Sequence, residues 1–269
     1  MRFSQFLRED ALELALPTDV RSAIIDKGGK IYQVGGAVRD EMLGKVSKDL
    51  DLLIVGIELK DLATLLTRFG KTNLVGKAFG IIKFVPTDAT EEIDISVPRI
   101  DSKSTGKGHK DFEVKLGKGI TLQQDQLRRD FWMNAMARDV ETGEIHDIDK
   151  KGQTDIENKQ IRVIGSQAFK EDPLRMLRAV QFAARFDFTI ETETMKQIKK
   201  NVNLIKTVSA ERFQEEFKKM FEKGTPSVGV DLLQQTGILK SYFPRLVTRF
   251  QLSMINWTRR DFLHFWQFY

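Results

Sequence analysis

Residues 30–55, KIYQVGGAVRDEMLGKVSKDLDLLIV, carry the pattern that decides the fold. Apolar residues cluster at both ends of this stretch, and a glycine pair followed by helix-forming residues separates them. The pattern predicts a short strand, a glycine turn, a helix and a second, buried strand, at 30–34, 35–36, 37–43 and 49–55. A strand, a helix and a strand in this order predict a mixed α/β module.

The sequence on both sides of this stretch extends the α/β module, and a second module of different character follows it toward the C-terminus. Residues 1–27 predict an N-terminal helical arm, and residues 71–85 and 91–97 predict further strands. After about residue 147, apolar residues recur at helical spacing, over 173–186, 193–202, 210–222 and 228–239. The sequence therefore predicts an α+β protein, with a mixed sheet and helices in the N-terminal part and helices alone in the C-terminal part.

Composition excludes several classes of protein and site. A chain of 269 residues suggests about two domains, and its 41% hydrophobic and 30% charged residues are typical of a globular protein. The chain has no cysteine and only three scattered histidines, which excludes disulfides, cysteine-held zinc, thiol nucleophiles and a histidine metal site. Since no apolar run approaches about 18 residues, we expect a cytoplasmic protein without a membrane span. The net charge of +5 permits a polyanionic partner.

Three aspartates of the front module are candidates for a metal site. Asp49 and Asp51 lie two residues apart at the start of the second predicted strand, so their side chains point to one face. Asp94 lies on the polar face of another predicted strand and offers a third carboxylate. Carboxylate oxygens without histidine or cysteine favour Mg²⁺, with Mn²⁺ as an alternative. The competing interpretation is a solvated strand face, and the spacing alone leaves it open.

The glycine pair Gly35-Gly36 is a candidate anion site. Glycines between a strand and a helix let backbone N–H groups approach a phosphate, and Arg39 in the first helical turn can pair with the same anion. A tight turn that needs a positive φ explains the same pair without a ligand. Both interpretations stay open from these residues alone.

A compact polar cluster, Arg128-Arg129-Asp130 with Asn134, precedes an apolar run. Charges of both signs at this spacing favour a salt-bridged helix start when the cluster is taken by itself. It is a candidate functional site only through its place in a larger pattern.

The segment around Asp172 and Pro173 has two interpretations of about equal weight. Asp172 before a proline is typical of a helix N-cap with proline at the first helical position. Asp172 also shares a helix face with Arg175 and Arg178, which lie three and six residues further on. A fixed carboxylate and a fixed guanidinium offer an acceptor and a donor edge to a planar base.

The order of these motifs resembles that of the class II tRNA nucleotidyltransferases, the bacterial and eukaryotic CCA-adding enzymes, with the bacterial poly(A) polymerases as close relatives. The resemblance covers residues 30 to about 246. The residues that carry it are VGGAVRD at 34–40 with Leu43-Gly44, DLD at 49–51, RRDFWMNA at 128–135, EDPLRMLR at 171–178, Glu211-Arg212-Phe213 with Glu215, and TGILKSYFP at 236–244. Gln181 departs from the arginine that many relatives carry, and Trp132 replaces a small β-branched residue.

The resemblance implies a polymerase-β-like nucleotidyltransferase head followed by an all-α neck and body. It implies the boundaries 1–27 for the arm, 28–147 for the head, 148–222 for the neck and 223–269 for the start of a body with a shortened C-terminus. Asp49 and Asp51 match the metal-binding carboxylates, and Asp94 matches the third acidic position. The triphosphate-binding turn of the family is matched by Gly35, Gly36 and Arg39.

The resemblance also assigns nucleotide contacts behind the head. Arg129, Asp130 and Asn134 match a motif that contacts ribose and phosphates. Asp172 and Arg175 match the protein template that pairs with the base edge of CTP or ATP, while Arg178 matches a further nucleotide-binding arginine. The loop from about Asp101 to Glu113 matches a flexible loop that is linked, in the same family, to the switch between C and A addition.

The implied activity is addition of C and A residues to the 3′ end of tRNA from CTP and ATP, by two-metal phosphoryl transfer. Three alternatives stay open: a poly(A) polymerase, a partial CC- or A-adding enzyme, and, from a different class, an inactive RNA-binding remnant. The oligomeric state and the exact RNA stay open as well.

Overall fold

The structure is a computed structural model, which describes residues 16–45, 50–75, 80–101 and 114–244. Asp49, most of the predicted N-terminal arm, the predicted loop beyond Asp101 and the chain after Pro244 lie outside the described residues. The chain divides into two compact units. The first takes the chain up to Arg129 and resumes at Met133–Ile156, whereas the second takes Asp130–Trp132 and the chain from Glu157 onward.

The first unit combines strands with short helices. Its elements, in chain order, are α1 Thr18–Asp26, β1 Lys30–Val34, α2 Gly36–Met42, β2 Asp51–Val55, α3 Leu59–Leu66, β3 Gly70–Val75, β4 Ile81–Pro86, β5 Ile93–Ser96, β6 Arg99–Asp101, β7 Val114–Leu116, α4 Leu122–Leu127, β8 Ala137–Asp139, β9 Ile145–His146 and α5 Lys151–Glu157.

Seven of these strands form one mixed sheet in the order β3-β4-β5-β2-β1-β8-β9. β2 and β5 run parallel, and the other neighbouring pairs run antiparallel. The register places Val34, at the end of β1, opposite Asp51 at the start of β2. It also places Asp51 opposite Asp94 of β5. The sheet therefore brings the glycine turn after β1 and two predicted site carboxylates to one place.

The two faces of this sheet have different environments because side chains alternate along each strand. One face carries the main core, in which Leu52 and Ile54 of β2 lie with apolar residues of α1 and α3. The other face carries a smaller apolar cluster around Tyr32, Leu53 and Ala137. Asp51 shares this second face with Leu53 because the two residues are two positions apart, so the carboxylate lies away from the main core.

The second unit is almost entirely helical. Its elements are β10 Gln160–Ile161, α6 Ala168–Glu171, α7 Leu174–Phe186, β11 Thr189–Ile190, α8 Thr192–Asn201, α9 Ala210–Lys223, α10 Pro226–Thr236 and α11 Ile238–Tyr242. α7 is buried along most of its length, and α9 packs against it through the apolar stripe Phe213, Phe217, Met220 and Phe221. Ser209 caps α9, and α10 begins with the proline of a Thr-Pro pair, both of which are standard helix starts.

The α+β prediction is confirmed, and the predicted helices and strands of the described residues lie within a few positions of the observed ones. Several short strands were not predicted. β6 and β7 pair at the two ends of the predicted loop, β8 pairs with β9 at the edge of the sheet, and β10 pairs in parallel with β11, each over two or three residues. Segments this short lack the periodicity that identifies a strand in sequence. No helix of the described ranges is long and apolar enough to cross a bilayer.

Candidate functional site

The head site begins where β1 turns into α2. Gly35 has φ 77° and ψ −142°, and a Cβ added there would lie 3.1 Å from Oδ2 of Asp51. A residue with a side chain would therefore be strained in its backbone and crowded against the carboxylate. The glycine lets the turn pass close to Asp51, which is half-buried at the start of its strand.

Asp94 completes the carboxylate pair of this sheet face and has a cationic neighbour that sequence reasoning missed. Lys83, paired opposite Asp94 on β4, places its Nζ 3.4 Å from Asp94 and 2.5 Å from Glu92. The hydrogen bond to Glu92, followed by the charge of Asp94, raises the pKa of Lys83. The alternation of β4 puts Lys83 on the polar face, but the sequence does not reveal which strand lies next to it.

The donor set fits a hard divalent cation. Asp51 and Asp94 lie side by side in adjacent parallel strands, and both offer carboxylate oxygens, the ligands that Mg²⁺ and Mn²⁺ prefer. Asp49, which was predicted to bind metal together with Asp51, lies outside the described residues. Among the residues that the structure describes, no group of three or more potential metal ligands occurs. The described part of the site therefore contains two of the three predicted carboxylates.

Arg39 and Asn134, predicted from separate motifs, are in direct contact. Nη1 of Arg39 donates to Oδ1 of Asn134 over 2.6 Å, while Nε and Nη2 donate to Oδ1 of Asp40 over 2.8 and 2.7 Å. All three side chains are buried. A Cβ at Gly36 would lie 3.0 Å from Nη2 of Arg39, so this glycine makes room for the guanidinium. The hydrogen bond from Arg39 to Asn134 thus joins the glycine turn to the residue that was predicted together with the RRD motif.

Asp125 holds Arg128 and Arg129 in place, and it was not among the residues predicted from the sequence. Its fully buried carboxylate accepts from Arg128 over 2.7 Å and from Arg129 over 2.9 Å. Burial by itself would raise the pKa of Asp125, but the charges of Arg129 and Arg128 outweigh burial and hold the pKa below its ordinary value. The spacing D-x-x-R-R puts one acid on the face of two arginines and is readable in sequence.

Replacing this acid gives the first prediction. Asp125→Asn removes a buried charge that two arginines neutralise, so we expect the first unit to lose about 3 kcal/mol of unfolding free energy. Because the folded pKa lies below the ordinary value of 3.8, the carboxylate stabilises the protein above that pH, and this contribution is lost as the pH falls through the folded pKa. Urea unfolding at pH 7 and at pH 3 measures both effects.

The control for this prediction is Asp88→Asn, which changes an exposed carboxylate of the same unit. We expect its urea curve at pH 7 to match that of the wild type. An Asp125→Asn variant as stable as the control at pH 7 would contradict the assigned role of Asp125.

Asp130 and Arg178 meet in the second unit. Nε and Nη2 of Arg178 donate to Oδ2 of Asp130 over 2.9 and 2.7 Å, and Nη1 donates to Oε1 of Glu216 over 3.2 Å. Burial alone would lower the pKa of Arg178, but the charges of Asp130 and Glu216 more than offset it and raise the pKa above its ordinary value. Arg178 thus connects the Asp130–Trp132 segment, α7 and α9, a structural role beside the nucleotide contact that the resemblance implies.

Asp172 and Arg175 lie at the start of α7. Oδ1 of Asp172 accepts from the backbone N–H of Leu174 over 3.2 Å, which is a capping contact. Oδ2 accepts from Nη2 of Arg212 over 2.8 Å. Nη1 of Arg175 lies 3.5 Å from Oε2 of Glu171. The cap interpretation of Asp172 is therefore supported by geometry, and it leaves the second carboxylate oxygen directed away from the helix backbone.

Comparison with known proteins gives consistent matches along the chain. The sequence profile described as "Poly A polymerase head domain" matches residues 31–162, and the profile "Probable RNA and SrmB- binding site of polymerase A" matches residues 187–248. The "Multifunctional CCA protein" of Shewanella denitrificans is 39% identical over 223 residues, which are 81% of this chain and 51% of that protein.

Two solved structures show the same fold. The Bacillus stearothermophilus CCA-adding enzyme in complex with CTP has a TM-score of 0.73 and 30% identity, over 85% of this chain and 53% of that one. The Thermotoga maritima CCA-adding enzyme complexed with tRNA has a TM-score of 0.68 and 27% identity, over 87% of this chain and 54% of that one. The chain spans about half the length of the relatives it matches. These matches confirm the polymerase-β-like head, and the chain belongs to the family of class II CCA-adding enzymes and poly(A) polymerases.

Proposed function

We propose that the chain is a metal-dependent nucleotidyltransferase that adds C and A residues to the 3′ end of tRNA from CTP and ATP. The observation that carries this proposal is the register that sets Asp51 beside Asp94, with the Gly35 turn against the Asp51 carboxylate. Two solved structures named as CCA-adding enzymes, one in complex with CTP and one complexed with tRNA, support the choice of substrates.

The head residues have separate tasks in this proposal. Asp49, Asp51 and Asp94 would hold divalent cations such as Mg²⁺ or Mn²⁺, which when bound lower the pKa of the RNA 3′-hydroxyl and neutralise charge on the pyrophosphate leaving group. Gly35 and Gly36 let the backbone approach a triphosphate without a side chain in the way.

Arg39 acts in this scheme as an organised cation. Asp40 and Asn134 fix its guanidinium, so its charge stands at a defined place beside the glycine turn. A cation that is already fixed loses little conformational freedom when it stabilises the charge that builds up on a transferring phosphoryl group. Arg129, held by Asp125, is fixed in the same way.

The second unit would select the base. Cytosine and adenine each present an exocyclic amino group next to a ring nitrogen acceptor, whereas guanine and uracil present a carbonyl oxygen and a ring N–H there. A carboxylate acceptor at Asp172 and a guanidinium donor at Arg175 match the first pair and oppose the second. Both residues lie at the start of α7, a buried helix that holds their backbones in place.

A single assay tests the activity. Purified chain is incubated with Mg²⁺, a tRNA that ends at the discriminator base, and CTP and ATP separately and together, and the products are resolved on a sequencing gel. We expect CCA completion with both nucleotides and addition of C alone with CTP. Completion that stops at CC or at A selects a partial enzyme, and a long A tract selects the poly(A) polymerase that the head-domain match also allows.

An inactive protein is the different-class alternative. RNA binding without any incorporation, in Mg²⁺ and in Mn²⁺, would contradict the proposed activity and favour an RNA-binding remnant. A melting curve of the same preparation shows that the protein is folded when the assay is read.

A further inference from the structure

Arg212 stands out among the residues around Asp172 because its position does not help its own helix. It is the third residue of α9, and its backbone N–H is directed to the capping hydroxyl of Ser209 at 3.5 Å. A positive side chain in the first turn is opposed by the helix dipole. Glu211 next to it is the residue type that the dipole favours, so helix stability does not explain a cation at Arg212.

The backbone of Arg212 is firmly held. Phe213 is buried, with its ring stacked on Tyr242 at a centroid distance of 3.6 Å, and Phe217 lies one turn further along the same face. The side chain of Arg212, by contrast, is 53% exposed and reaches Asp172 across 40 residues of sequence. A fixed backbone and an accessible guanidinium suit a residue that orients a neighbouring side chain and stays open to a ligand.

The contact divides the two oxygens of Asp172 between two directions. Oδ1 accepts from Leu174 at the start of α7, and Oδ2 accepts from Arg212 on α9. Two anchors on different helices fix both the position and the plane of a carboxylate. An ion pair between groups this exposed contributes little to stability, so its main effect is on orientation.

We propose that Arg212 is a positioning residue that holds the Asp172 carboxylate in the orientation that accepts the amino group of cytosine or adenine. An sp² carboxylate oxygen has two lone pairs, so Oδ2 can accept from Arg212 and from a base at once. The proposal rests on the proposed function, since it assigns Arg212 a part in the same base selection. Without the guanidinium, the carboxylate rotates about its side-chain bonds and accepts from the amino group in fewer of its orientations.

The test measures selectivity together with stability. Arg212→Gln is compared with the wild type for single-turnover incorporation of CTP against UTP, and for kcat and KM with CTP. We expect the CTP:UTP ratio to fall about tenfold, while the melting temperature changes by no more than a surface ion pair explains. Arg212→Lys keeps the charge but not the planar fork, so its ratio is expected between the two.

The matched control is Lys218→Ala, which removes an exposed cation of the same helix whose ion pair, to Glu222 at 3.6 Å, stays within α9. Its selectivity is expected to equal that of the wild type. The double variant Asp172→Ala with Arg212→Gln tests the route of the effect. If Arg212 acts through Asp172, adding Arg212→Gln to Asp172→Ala causes no further loss of selectivity.

The outcomes separate the two proposals. A wild-type chain that adds neither C nor A overturns the proposed function and this inference with it. An active wild type whose Arg212→Gln variant keeps full selectivity overturns the inference alone, as does an additive double variant. Early melting of Arg212→Gln with an unchanged CTP:UTP ratio would make the contact purely structural, which also contradicts the proposal.

Discussion

Asp51→Asn is expected to reduce nucleotide transfer by roughly a thousandfold or more, the equivalent of about 4 kcal/mol of transition-state stabilisation. The amide keeps the shape of the carboxylate but removes the charge that a divalent cation requires. The half-buried side chain lies at the start of β2, where the backbone ladder to Val34 does not depend on it. We therefore expect the melting temperature to stay close to that of the wild type while the single-turnover rate collapses.

Two companion variants make this result specific. Asp94→Asn is expected to lower the rate less, because Asp94 is proposed only as the third ligand and already faces Lys83. Asp88→Asn removes an exposed carboxylate of the same unit and is expected to leave the rate unchanged. If Asp51→Asn kept more than a few per cent of the wild-type rate, the metal-site assignment would be wrong.

The second large effect concerns the choice of nucleotide. Asp172→Ala is expected to lose up to about a thousandfold in discrimination against UTP and GTP, since the wrong bases no longer meet an opposed acceptor. The same change also removes the cap contact to Leu174, which costs about 1 kcal/mol of stability. Selectivity and melting temperature are therefore both expected to fall, and neither measurement alone identifies the role.

Asp172→Asn separates the two roles. Asparagine caps helices about as well as aspartate, so the melting temperature is expected to stay near that of the wild type. Its side chain lacks the charge and offers an amide donor beside the capping oxygen, so the CTP:UTP ratio is expected to fall. A variant that melts normally and still rejects UTP would leave Asp172 as a helix cap without a part in selection.

The sequence predicted the elements well because their signals are local. The apolar clusters at 30–34 and 49–55 and the glycine pair between them predict the β1–turn–α2–β2 order, and the observed bounds agree closely with that prediction. The close approach of Gly35 to Asp51 depends on the antiparallel pairing of β1 with β2, which the local pattern does not predict.

What the sequence did not indicate are the partners of the charged residues. Lys83 and Asp125 were not singled out, and Arg212 was named only as part of a family motif without a role, although each contacts a predicted site residue. Only the partners of Asp125 lie within one helical turn, so only that contact is readable from spacing. The contact of Arg212 spans 40 residues, and that of Lys83 depends on the order of strands in the sheet.

The return of the chain to the first unit at Met133 has a consequence for anyone dividing this protein into fragments. β8 covers the outer side of β1, so a fragment that ends at Arg129 would leave the backbone N–H and C=O groups of Tyr32–Val34 without their neighbouring strand. A bare strand edge of this kind is a template for pairing with another molecule. Such a fragment would tend to self-associate, and its inactivity would say nothing about the carboxylates of β2.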